Sequence, residues 1–143
     1  MPSNISLGLT LGSLTALLFF ISNFVVIFRL IHKVIYTSVK WEWLDKLQDR
    51  WHKVHYFGNL VSVMLAIVHA ILMIEYSNVW SWVLIALLVW MAGTGLIMRF
   101  SNVSVDVKKK IRVFHAQWYM FLAVLLVLIV AHLVSLVNFP YAM

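Results

Sequence analysis

Four long apolar stretches constrain this chain more than any other feature. They run from about Ile5 to Phe28, from about Tyr56 to Ile74, from Val79 to Met98, and from about Val113 to Val137. At about 1.5 Å of rise per residue, roughly 20 residues cross the ~30 Å hydrocarbon core of a bilayer, and each stretch is near that length. The stretches are continuous, whereas barrel strands alternate apolar and polar positions. Lipid offers the backbone no hydrogen-bond partners, so continuous spans must be helices. The expectation is an all-α integral membrane protein, a four-helix transmembrane bundle forming a single domain over residues 1–143. Composition agrees: 64% of residues are hydrophobic and 11% charged, against about a half and a quarter in a soluble domain.

The loops predict the orientation. All 11 Lys and Arg fall in two segments. Arg29, Lys33, Lys40, Lys46, Arg50 and Lys53 lie between the first two stretches. Arg99, Lys108, Lys109, Lys110 and Arg112 lie between the last two. Four spans put these segments on one side, and the positive-inside rule makes that side cytoplasmic. Both termini are then extracytoplasmic, and the membrane is the inner, or plasma, membrane. The net charge of +6 is explained by this distribution, and no nucleic-acid partner is expected. The first stretch lacks a basic leader and has basic residues after it, so it reads as a retained helix and not as a signal peptide. Between the first two spans, Trp41, Leu44, Leu47 and Trp51 recur at helical spacing among charges. That pattern predicts a short amphipathic helix lying in the cytoplasmic interface.

An ionisable side chain within a span is costly and points to function. His69 and His132 lie deep in apolar runs, on two different helices. His55 precedes His69 by 14 residues, about 21 Å and just under four turns, so the two rings share a face. His115 precedes His132 by 17 residues, about 25 Å of rise. The second and fourth spans run in the same direction. His55 therefore matches His115 in depth, and His69 matches His132. Two facing imidazoles in a bundle core suit the axial positions of a haem iron. The chain has no cysteine, which excludes covalent haem attachment, iron–sulfur clusters and thiolate zinc sites. Two b-type haems are expected, with His55, His69, His115 and His132 as ligands. Filling both axial sites makes such a haem an electron carrier.

Two features complicate this assignment. Seventeen residues is about 4.7 turns, which turns His132 by roughly 100° from His115 in a straight helix; a bulge or kink is needed. His52 also lies 17 residues before His69 and can take the place of His55. His32 sits in a basic cluster and reads as interfacial, with a third-ligand or quinone contact as the alternative. Gly58, one turn after His55, and Gly93 and Gly95 leave room for a flat macrocycle or for helix packing. Arg99, Lys53 and Arg112 are placed to meet haem propionates. Phe57, Phe114, Trp118 and Tyr119 can wall the pocket or face lipid.

His55-Tyr-Phe-Gly58 through His69 resembles the haem helix of the ferric reductase-like transmembrane domain, the group that includes NADPH oxidases and related bacterial b-type cytochromes. Gly93-Thr-Gly95-Leu-Ile-Met-Arg99, followed by a basic loop and Phe114-His115, is similar to it as well. The resemblance covers roughly spans two to four and implies a diheme electron-transfer core with the same four histidines as ligands. The chain departs from that family in its wider second His pair, in four spans where the family has six, and in lacking a flavin or nicotinamide domain. The resemblance thus implies the haems and not ferric reduction. Besides membrane lipid, the expected partners are a redox protein or a quinone, in a homo- or hetero-oligomer. The alternatives are a non-haem membrane anchor subunit and a small four-helix transporter. Glu75, at the outer end of the second span, is the one acid near a span, which disfavours a carboxylate-coupled transporter. No H-E-x-x-H or nucleophile motif suggests hydrolysis.

Overall fold

The computed structural model describes residues 3–35 and 41–138, and every regular element among them is helical. The helices are α1 (Ser3–Ile35), α2 (Glu42–Leu72), α3 (Val79–Phe100), α4 (Val105–His115) and α5 (Trp118–Asn138), with a 3-10 turn at Ile74–Tyr76. Helices α1, α2, α3 and α5 are long and apolar enough to cross a membrane. The chain is therefore a four-span membrane protein, as the apolar stretches predict. Its outward faces carry many exposed leucines, valines, phenylalanines and tryptophans, a surface suited to lipid. Of the basic residues, Lys40 lies outside the described residues.

Two boundaries differ from expectation. The segment Trp41–Trp51 is helical, but it is the opening of α2 and not a separate helix. No Gly or Pro lies between Glu42 and Tyr56, so nothing interrupts the hydrogen-bond ladder. The 31 residues of α2 make a rod about 46 Å long, well beyond the ~30 Å of hydrocarbon. The excess is the charged end from Glu42 to Lys53. The fourth span likewise begins at Trp118 and not near Val113. His115 ends α4, and Ala116 and Gln117 separate it from α5. That break resolves the mismatch between His115 and His132, because the two rings need not share one straight helix.

α1 packs along α2, α2 touches α3, and α3 lies against α5. The α1–α2 contact is close and partly polar. Ser22 is fully buried and faces Gly58. A Cβ on Gly58 would stand 1.9 Å from Ser22 Oγ and 3.0 Å from Ser22 Cβ. At the next residue of each helix, Asn23 Nδ2 donates to Asn59 Oδ1 at 2.7 Å, and Asn59 Nδ2 donates back to Asn23 Oδ1 at 3.3 Å. Trp51 Nε1 donates to the Ile21 carbonyl at 3.1 Å, and Arg29 pairs with Asp45. Gly58→Ala is expected to cost about 1–3 kcal/mol by overpacking this seam. Ser22→Gly in the same protein should return much of that stability. Thermal unfolding in detergent measures both, and a Gly58→Ala protein as stable as the parent would contradict the contact.

At the opposite end, Asn78 caps α3, its side chain accepting from Trp80 N at 2.9 Å and Ser81 N at 3.2 Å. Its Nδ2 also donates to the Ala131 carbonyl at 3.0 Å and to Ser135 Oγ at 2.8 Å. One asparagine thus starts α3 and anchors α5 beside His132.

Candidate functional site

The four long helices enclose two cavities stacked along the bundle. One, of about 720 Å³, opens at the end where Arg29 and Arg112 stand and is lined by both His55 and His115. The other, of about 380 Å³, lies near the 76–78 turn and is lined by both His69 and His132. Both volumes fall within the roughly 300–1,000 Å³ of small-molecule and cofactor sites. Phe19, Val63, Leu88 and Val124 line both cavities. They come one from each spanning helix and form the layer between the two spaces. Phe19 is stacked on Phe121 at 6.1 Å, with 8° between the ring planes.

The depth matching of the histidines holds in three dimensions. The ring centres of His55 and His115 are 6.4 Å apart, with planes at 85°. Those of His69 and His132 are also 6.4 Å apart, with planes at 3°. An imidazole nitrogen binds a metal at about 2 Å and lies about 1.1 Å from its ring centre, so two imidazoles on opposite sides of one ion have centres roughly 6.2–6.4 Å apart. Rotation about each metal–nitrogen bond leaves that distance unchanged, so crossed and parallel planes serve equally.

Ligation through Nε2 needs the proton on Nδ1, held by an acceptor. Three of the four rings have such an acceptor. His69 Nδ1 lies 2.7 Å from the Gly8 carbonyl, and His132 Nδ1 lies 2.8 Å from the Leu128 carbonyl. His115 Nδ1 lies 3.0 Å from Thr94 Oγ1. That hydroxyl donates to the carbonyls of Trp90 and Met91, which leaves its lone pair for the imidazole. Burial, reinforced by the neighbouring His55, holds His115 below the ordinary imidazole pKa and favours the neutral, ligating form. His55 differs: Asn59 Nδ2 stands 3.2 Å from its Nδ1 and also donates to the His55 carbonyl.

Glycines shape both sites, though not all those singled out in the sequence. Gly95 lies beside His115, where a Cβ would come 3.3 Å from Cε1. Gly58 serves the α1–α2 seam and lines neither cavity, and Gly93 faces open space. Gly8 and Gly12, one turn apart on α1, escaped the sequence reading. Gly12 makes the notch into which the His69 ring enters, a Cβ there lying 2.7 Å from His69 Cε1 and 2.9 Å from Nδ1, while Gly8 leaves room for Met73. The signal was present, since Gly8-Leu-Thr-Leu-Gly12 is a G-x-x-x-G in an apolar helix, the mark of close helix approach.

The other candidates divide. His52 lines the larger cavity beside His55, with its ring 5.4 Å from that of Tyr56, but it faces no second histidine ring. His32 lies against Trp41, at 4.2 Å between ring centres and with the planes tilted by 59°, and lines neither cavity. Arg99 is exposed at the end of α3, outside the cavity lining, whereas Arg112 and Arg29 line it. Trp118 lines the larger cavity; Phe57, Phe114, Tyr119 and Lys53 do not.

The donor set itself discriminates between metals. Among the described residues no three His, Cys, Asp or Glu side chains converge. A bare zinc ion takes three or four protein ligands, while a haem iron already has its equatorial nitrogens and needs two axial ones. Paired imidazoles across a cavity fit the second requirement. No known protein family, curated protein or solved structure matches this chain.

Proposed function

We propose that this protein is a diheme b-type cytochrome that carries electrons across a membrane. One haem b is held by His55 and His115, the other by His69 and His132. The observation that carries this reading is the common 6.4 Å spacing of two histidine pairs, each lining its own cavity. Bound haem supplies a one-electron iron couple. The chain's own residues hold the ligands in place: Gly8, Leu128 and Thr94 fix the protonated nitrogens, and Arg112 and Arg29 offer charge-assisted hydrogen bonds to carboxylates at the basic end. With both axial positions filled, such a site exchanges electrons and does not bind oxygen.

In this reading the protein lies in the inner, or plasma, membrane with its basic loops in the cytoplasm and its termini outside. It exchanges electrons with a quinone or a partner protein, alone or as a subunit of an oxidoreductase complex. The test is a reduced-minus-oxidised visible spectrum of the purified protein, with haem counted per chain. Two b-type haems with a sharp low-spin α-band are expected. Protein made with ample haem supply and containing none would overturn the proposal.

A further inference from the structure

The chain leaves the bilayer at the end of α3 and re-enters at Trp118, and α4 spans the interval. Its sequence, Val105-Asp-Val-Lys-Lys-Lys-Ile-Arg-Val-Phe-His115, is sorted by face. Lys108, Ile111 and His115, three and four residues apart, are its half-buried positions and turn toward the bundle. Val107 and Phe114 flank Ile111 on an apolar stripe, yet are 42% and 58% exposed. Lys109 and Arg112 stand opposite that stripe, beside the exposed Val105 and Val113, and Lys108 lies at its bundle-facing edge. Four Lys and Arg residues in this helix face one acid, Asp106.

Neither water nor hydrocarbon suits such a helix. Water leaves Val107 and Phe114 uncovered, and hydrocarbon strands four cations. The boundary between headgroups and acyl chains satisfies both, and the ends of α3 and α5 hold α4 at that level. The positive excess selects negatively charged headgroups. We infer that α4 is a docking helix for anionic phospholipids. It lies in the plane of the interface with Val107 and Phe114 toward the acyl chains and with Lys108, Lys109 and Lys110 among the phosphates. The sequence led us to expect an in-plane helix at Trp41–Trp51; the element with that character is α4. Because His115 is its last residue, the same docking sets where that imidazole enters the larger cavity.

The inference needs only the four spans and does not depend on haem. The chain has no cysteine, so Val107→Cys provides a single site for a nitroxide label, and Phe114→Cys a second. The full-length protein is placed in nanodiscs of zwitterionic phospholipid, with or without added phosphatidylglycerol. Collision with oxygen and with a water-soluble nickel chelate then reports depth. With phosphatidylglycerol present, both labels are expected about 5–10 Å below the phosphate level. Without it, both should sit nearer water, and the Lys108→Gln, Lys109→Gln, Lys110→Gln protein should show no difference between the two bilayers. Equal depth in both bilayers for the parent protein would overturn the inference. So would a lipid dependence that survives the triple substitution, or labels that become buried only when an acidic protein or nucleic acid is added.

Discussion

Replacing His69 or His132 with alanine is expected to remove one of two haems and to leave the other bound. The two pairs occupy separate cavities, divided by Phe19, Val63, Leu88 and Val124. His69 and His55 share one continuous helix, α2, but are about 21 Å apart along it. Losing a ligand at one end therefore leaves the other pair and its cavity in place. Haem per chain should fall from two to one, and a two-step redox titration should become a single step. Alanine at His55 or His115 should remove the other step. If all four alanine variants kept two haems, the assignment of ligands would fail.

The second large effect is expected from a residue that never touches a metal. Gly12→Ala places a methyl carbon 2.7 Å from Cε1 and 2.9 Å from Nδ1 of His69. All three of its nearest contacts are atoms of that ring, so the helix backbones need not move and the imidazole must turn. Turning costs the bond from Nδ1 to the Gly8 carbonyl and the 6.4 Å opposition to His132. Alanine is also the better helix former by about 1 kcal/mol. The variant should therefore fold with parental or slightly higher thermal stability and lose the haem near the 76–78 turn. Gly95→Ala is the control. Its methyl group would lie 3.3 and 3.8 Å from His115 ring atoms, contacts that small shifts absorb, and both haems should remain. Gly12→Ala protein carrying two haems would show that the notch has no part in seating His69.

These expectations rest on features that were legible in the sequence to different degrees. The spans, and the matched depths of His55 with His115 and of His69 with His132, follow from hydropathy and rise per residue, because a bilayer fixes direction and length. Helix ends were less legible. The Trp41–Trp51 pattern reads as a separate element only if a breaker follows, and none does, so α2 absorbs it. Between His115 and Trp118 the chain breaks without Gly or Pro, at Ala116 and Gln117. No local propensity marks that position, and the docking of α4 and α5 on α3 fixes it instead. Azimuth was the least legible. Nothing along α1 states which neighbour its glycines meet, so Gly12 reaching His69 and Gly58 meeting Ser22 emerge only when α1 is laid on α2. For the same reason the arginines that line the larger cavity are Arg112 and Arg29 and not Arg99.

The four side chains between the cavities have an electrical consequence. Phe19, Val63, Leu88 and Val124 contain no polar side-chain atom, and Phe121 backs the first of them. A layer of this kind polarises weakly and offers protons and ions no polar path. Moving one elementary charge through the full potential is worth about 2.3 kcal/mol per 100 mV. If the proposed function holds, an electron passing between the two cavities would move through part of the membrane's thickness, and its equilibrium position would depend on membrane voltage.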